Sequence, residues 1–164
     1  MRRIIACLSL ICVLTSVAIV PAGAAGTWTW PVLGPVLRGF DPPDSPYGAG
    51  HRGIDIGAPE GTDAVAPADG VVTFAGPVGG RLFLTIDHGH GVESTYSWLS
   101  ALLVRRGDRV VVGQPIALTG WGHTGSLVPH LHMGVRIDDV YVDPLGFLGS
   151  PSVSGFIRLA PVSA

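Results

Sequence analysis

Short apolar runs alternate with turn-forming residues along most of the chain. Val71-Val72-Thr73-Phe74-Ala75, Leu82-Phe83-Leu84-Thr85-Ile86, Gly91 to Trp98, Arg109 to Val112 with Ile116 to Thr119, and Leu131 to Ile137 are rich in β-branched and aromatic residues and predict strands. Pro67-Ala68-Asp69-Gly70, Gly79-Gly80, His88-Gly89-His90-Gly91, Gly107-Asp108 and Asp138-Asp139 stand between them as turns. No amphipathic segment of helical length separates these runs. The pattern therefore favours antiparallel sheets in a barrel-sandwich-like, mostly β arrangement over alternating strand and helix. One short helical turn is expected at Ser100 to Val104, and Thr27 to Tyr47, with its prolines and tryptophans, reads as an irregular first strand and loop.

The first residues have a different pattern. Met1, Arg2 and Arg3 lead into the apolar run Ile4 to Val20, and Ala22-Gly23-Ala24 supplies small residues at a cleavage-site spacing. Ser9, Thr15 and Ser16 interrupt the run, which is shorter than the ~20 apolar residues of a bilayer span. The expected organisation is a signal peptide over 1–24, one domain over 25–149 and a loosely packed tail over 150–164, secreted and without a membrane anchor after cleavage. Cys7 and Cys12 both fall in the leader, so the domain has no thiol for a disulfide, a nucleophile or a metal ligand. Any metal must be held by histidines and carboxylates.

Composition agrees with short strands and tight turns: 24 glycines, 14 prolines and only 13% charged residues. The 10 arginines face 12 acidic residues, and two of those arginines leave with the leader. A mildly negative domain is the wrong balance for binding nucleic acid through phosphates.

Six histidines, His51, His88, His90, His123, His130 and His132, all lie beyond the leader. His51-Arg52-Gly53-Ile54-Asp55 puts an imidazole and a carboxylate four apart, but Gly53 and the β-branched Ile54 and Ile56 favour a loop running into a strand over a helix. In His130-Leu131-His132, strand geometry sends both imidazoles to one face and Leu131 to the other. One can bind a metal while the other touches what the metal holds. Two histidines, one carboxylate and a water form the usual ligand set of a hydrolytic zinc centre. Each motif alone is commonplace; their joint presence is far more specific.

The surroundings carry a family resemblance from about Trp30 to Leu148. Trp30-Pro31-Val32, Gly50-His51-Arg52-Gly53-Ile54-Asp55-Ile56-Gly57-Ala58-Pro59, Gly61-Thr62 and Ala66-Pro67-Ala68-Asp69-Gly70-Val71-Val72 come first. Asp87-His88-Gly89, Gly107-Asp108-Arg109-Val110, Gly113-Gln114-Pro115-Ile116 and Pro129-His130-Leu131-His132 follow in order. This resembles the lysostaphin-type (LytM-like, glycyl-glycine endopeptidase) zinc metallopeptidases. The resemblance implies an open groove, one Zn2+ on His51, Asp55 and His132, and His130 as a catalytic histidine. The implied activity is hydrolysis of peptide bonds in peptidoglycan by zinc-activated water.

The chain departs from the family at one chemical position. A second catalytic histidine is expected in a Tyr-x-His-Leu motif, and here the motif reads Tyr96-Ser97-Trp98-Leu99. An indole has one N–H donor and cannot accept a proton from water. Zinc and His130 can suffice; His123, in Gly120-Trp121-Gly122-His123-Thr124-Gly125, can replace the missing base; or catalysis is lost, leaving a module that binds peptidoglycan or activates another cell-wall hydrolase. Strand alternation places Tyr96 and Trp98 on one face, which forms a substrate wall if it lines the groove. His88 is expected to hydrogen-bond within the turn after Asp87, and Arg38 and Arg52 are candidates for contacting stem-peptide carboxylates. The Gly107-Asp108-Arg109-Val110 turn also occurs in biotinyl and lipoyl carriers, but the chain has no lysine to modify.

Overall fold

The computed structural model describes residues 27–45 and 48–149; the expected leader and tail lie outside them. Ten strands form one antiparallel sheet: β1 (Val36–Arg38), β2 (Ile54–Gly57), β3 (Asp63–Val65), β4 (Gly70–Val78), β5 (Arg81–Asp87), β6 (Val92–Leu102), β7 (Arg109–Val110), β8 (Pro115–Thr119), β9 (His130–Ile137) and β10 (Val140–Val142). The main path runs β1-β2-β9-β6-β5-β4-β7, with β10 beside β9 and β8 joining β3 to β6. The sheet is nearly all of the described structure and is not closed into a barrel, in keeping with the mostly β, antiparallel arrangement expected.

Turn chemistry fixes the hairpins. Gly79 and Gly80 between β4 and β5 both have positive φ, and so do Asp138 and Asp139 between β9 and β10. Two left-handed residues in a two-residue loop give the twist that matches the flanking strands. Register then sets the faces. Ile54 opposes Met133, Ile56 opposes Leu131 and Tyr96 opposes Met133, all on the side that carries the core with Leu84, Ile86 and Val135. The alternate positions Asp55, His132, Ser97, Thr95 and Arg136 share the other face.

Two expectations are corrected. Ser100 to Val104 forms no helical turn, because Ala101 and Leu102 end β6 and pair with Leu118 and Ala117 of β8. The helical piece among the described residues is a single 3-10 turn, Pro144–Gly146, whose start is capped by the Asp143 carboxylate accepting from the Leu145 N–H. The second correction concerns alternation in β6. Leu82 opposes Leu99 but Phe83 opposes Ser97, which leaves Trp98 as an extra residue with φ +63°. This bulge divides the strand: Val92 to Ser97 pair with β9, and Leu99 to Leu102 pair with β8.

The bulge also separates Tyr96 from Trp98. Tyr96 is 1% exposed, with its hydroxyl donating to Ser94 Oγ at 3.0 Å, so its side chain offers no free face to a substrate. Trp98 is half-buried and turns toward Phe83 and His123, with ring centroids 6.5 and 6.4 Å away.

Candidate metal centre

β2 and β9 run side by side in a register that sets Asp55 directly across from His132. His51 arrives from the loop before β2, fixed by a two-way backbone bridge to Asp41. Its Nδ1 lies 2.7 Å from the Gly39 carbonyl and must donate there, so the Nε2 of the neutral ring faces inward with a lone pair. That Nε2 lies 3.0 Å from Asp55 Oδ1 and 3.1 Å from His132 Nδ1, and Asp55 Oδ1 lies 2.8 Å from His132 Nδ1. His51 and Asp55 are buried, and His132 is half-buried.

The donor chemistry fits a cation. A neutral His51 can give Asp55 Oδ1 no proton from Nε2, so two acceptors meet at 3.0 Å unless positive charge lies between them. Tetrahedral zinc with Zn–N bonds of about 2.0 Å separates its ligand atoms by about 3.3 Å. The three contacts here are slightly shorter than that edge. Burial pushes the Asp55 carboxyl up, but the hydrogen bonds of His132 and His123 and the nearby His51 and His132 outweigh it and hold Asp55 well below the usual carboxylate range. Burial pushes His132 down, against the pull of Asp55, and so favours the neutral, ligating ring.

His130 stands beside this cluster, two residues before His132 on β9. Its Nδ1 lies 2.9 Å from the Val128 carbonyl and 3.2 Å from Ser126 Oγ, while its buried Nε2 has no hydrogen-bond partner and lies 3.8 Å from Asp55 Oδ1. A buried unsatisfied nitrogen in a polar cluster marks a place for a water, an ion or a substrate atom. His123 comes in from the loop before β9, with Nε2 3.0 Å from Asp55 Oδ2 and its ring 4.5 Å from that of His130. Asp55, His123 and His130 thus form a second ligand-rich group that shares the same carboxylate.

The structure brings His51, Asp55, His132, His130 and His123 together, with Trp98 at the edge beside His123. Beyond His132 the open face continues as a groove of about 390 Å³, lined among others by Arg52, Phe83, Thr95, Ser97, Arg136 and Tyr141. Sequence reasoning missed Phe83, Ser97, Arg136 and Arg81, whose guanidinium lies 5.4 Å from the Trp98 ring centroid. Only strand register could have indicated them: Ser97 opposes both Phe83 and His132. Arg38 lies on exposed β1 and is not among the groove residues, whereas Arg52 is.

The remaining histidines are elsewhere. His90 lines a separate pocket with Asp87, Glu93, Asp138 and Asp139. His88 hydrogen-bonds the Asp69 carbonyl through Nδ1 at 2.7 Å and Ser94 Oγ through Nε2 at 2.8 Å, so its partners lie outside the turn after Asp87 where they were expected.

An open antiparallel sheet thus carries a His-Asp-His cluster, able to hold a metal ion, on its groove face. The chain belongs to peptidase family M23, whose sequence profile matches residues 49–144. It is 35% identical over 124 residues to the murein hydrolase activator NlpD of Escherichia coli (strain K12), covering 74% of this chain and 31% of that protein. It is 44% identical over 97 residues to the DD-carboxypeptidase/endopeptidase Mpg of Neisseria meningitidis serogroup B, covering 58% of this chain and 22% of that protein. The chain therefore spans less than a third of the length of these relatives.

Among solved structures, a zinc containing peptidase from Vibrio cholerae superposes with a TM-score of 0.63 at 29% identity, over 74% of this chain and 40% of that one. The catalytic domain of lysostaphin from Staphylococcus simulans superposes with a TM-score of 0.59 at 27% identity, over 67% and 88%.

Proposed function

We propose that the chain is a secreted zinc metalloendopeptidase that hydrolyses peptide bonds in peptidoglycan at the cell envelope, with 1–24 as its signal, 25–149 as the hydrolytic domain and 150–164 as a tail. The observation that carries this reading is the convergence of His51 Nε2, Asp55 Oδ1 and His132 Nδ1 beside the unpartnered Nε2 of His130. Those three atoms would hold one zinc ion, which supplies polarisation of a carbonyl and acidification of a water.

The chain's own residues do the rest. The Nδ1–H of His130 donates to the Val128 carbonyl, so the bare Nε2 can accept a proton from the attacking water and return it to the leaving amine. The groove leads the substrate to this point. The guanidinium groups of Arg52 and Arg136 along it suit the carboxylates of stem peptides, although Arg136 also pairs with Glu93. The similarity to Mpg, a DD-carboxypeptidase/endopeptidase, supports the enzymatic reading.

The test is release of soluble fragments from purified cell wall. Release should depend on metal and disappear in His51→Ala and His132→Ala. Zinc binding with no release across several wall chemistries would overturn the enzyme reading.

Trp98 favours a second reading, a peptidoglycan-binding or hydrolase-activating module, since it stands where a second catalytic histidine is expected. The similarity to NlpD points the same way. Stimulation of a cell-wall amidase by a protein that itself cleaves nothing would support this reading. Wild-type cleavage that His130→Ala removes would end it.

A further inference from the structure

The Asp55 carboxylate is divided between two sets of imidazoles. Oδ1 faces His51 Nε2 at 3.0 Å and His132 Nδ1 at 2.8 Å, whereas Oδ2 faces His123 Nε2 at 3.0 Å. The two sides differ in where their protons can be. His51 has its Nδ1 proton committed to Gly39, so its Nε2 meets Oδ1 as an acceptor. His123 is half-buried, with its side chain 32% exposed, and can carry its proton on Nε2, which a carboxylate demands of any uncharged partner.

The loop that holds His123 is seated rather than free. A Cβ on Gly120 would lie 2.1 Å from the Trp98 carbonyl oxygen, and one on Gly122, at φ +95°, would lie 2.2 Å from the His130 ring. These two glycines let the backbone rest directly on the β6 bulge and on His130, in the loop that brings His123 to Oδ2, the carboxylate oxygen that His51 and His132 do not contact.

We propose that His123 is a positioning residue for Asp55. Its Nε2–H donates to Oδ2, which holds Oδ1 toward His51 and His132 and keeps the carboxylate a one-oxygen ligand, so that a coordination position stays open for water or substrate. The inference rests on reading His51, Asp55 and His132 as a metal site. It also removes His123 from the choice of catalytic base, because the nitrogen that faces the site already carries a proton. Partners that orient a ligating side chain typically contribute 10–100-fold to metal affinity.

The experiment combines zinc competition against a chromophoric chelator with imidazole 15N NMR on the same purified protein. His123→Ala should weaken zinc binding by about 10–100-fold in a protein that still folds without metal. His123→Gln, whose amide nitrogen can donate from nearly the same place, should recover most of that loss. In the metal-free wild type, His123 should be the Nε2–H tautomer.

Unchanged zinc affinity in His123→Ala overturns the proposal. So do a His123→Gln variant as weak as His123→Ala, two zinc ions per chain, and an Nδ1–H tautomer. A wild type that binds no zinc would sink the metal-site reading, whereas the tautomer decides the contact between His123 and Asp55 in either case.

Discussion

His130 Nδ1 lies 2.9 Å from the carbonyl of Val128, two residues earlier in the chain, and that contact decides which nitrogen of the imidazole faces the His51–Asp55–His132 cluster. Gly122 packs on the same ring, leaving no room for a side chain. The orientation of the proposed base is therefore set by backbone on two sides.

Replacing His130 with Ala should lower wall cleavage by about 10²–10⁴-fold, the usual contribution of a general base, and leave zinc affinity within a few-fold. Gly122→Ala should lower cleavage too, since the added methyl group has no room beside the ring and the residue has φ +95°. Fragment release and zinc competition on both variants check this. Full activity in Gly122→Ala would show that the loop can shift without disturbing His130.

Zinc should raise the unfolding temperature and a chelator should lower it. At free zinc about 100 times the dissociation constant the stabilisation is about 2.7 kcal/mol. His132→Ala should abolish the zinc-dependent shift in a thermal melt, because it removes one of the three converging atoms.

Trp98→His should be structurally tolerated, because histidine accepts positive φ more readily than most residues and this position has φ +63°. It loses the packing against Arg81 and Phe83 but introduces an imidazole beside His123. If the chain is the activator-type module, Trp98→His should turn an inert protein into one that releases wall fragments. If it is the enzyme, cleavage should rise above the wild-type rate. A fall below that rate would instead assign the indole to substrate binding.

His88 gives a pH signature. The Tyr96 hydroxyl donates to Ser94 Oγ, Ser94 can donate to His88 Nε2, and His88 Nδ1 donates to the Asp69 carbonyl, a chain of protons that needs a neutral ring. Burial pushes His88 below its ordinary value, outweighing the Asp69 carbonyl and the nearby carboxylates. A depressed folded-state value favours the native state while the ring is neutral. Its contribution is therefore complete above the unfolded value of about 6.5 and declines as pH falls from there through the folded value. Urea unfolding at pH 7.5 and 5.5 should show a steeper loss for the wild type than for His88→Leu, which should itself be less stable at pH 7.5 by about 1–3 kcal/mol.

Much of the candidate centre was legible in the sequence because metal chemistry demands particular residue types. Alternation in a strand places His130 and His132 together, and the order of the surrounding motifs carries the family. Hairpins were legible at Gly79-Gly80 and Asp138-Asp139, where turn geometry selects the residues. Alternation failed at Trp98, since a bulge depends on pairing partners 15 or more residues away, Phe83 and Leu82 on one side and β8 on the other. Tyr96 was misplaced for the same reason. Ser100 to Val104 became strand because β8 supplies backbone partners that local propensity cannot foresee. The His123 contact with Asp55 joins a loop to a strand 68 residues away, and no spacing rule connects them.

Asp55 and His132 are 77 residues apart along a chain whose cysteines are Cys7 and Cys12, both outside the described sheet. An ion gripped between them would act as a removable staple, closing a loop of the length that many extracellular domains close with a disulfide. In the chain-entropy picture, linking points that far apart withdraws about 4–5 kcal/mol of freedom from the unfolded chain. Unlike a sulfur bridge, this staple comes out with acid or a competing chelator. The zinc supply of its surroundings would then govern how long the domain persists as well as how fast it works.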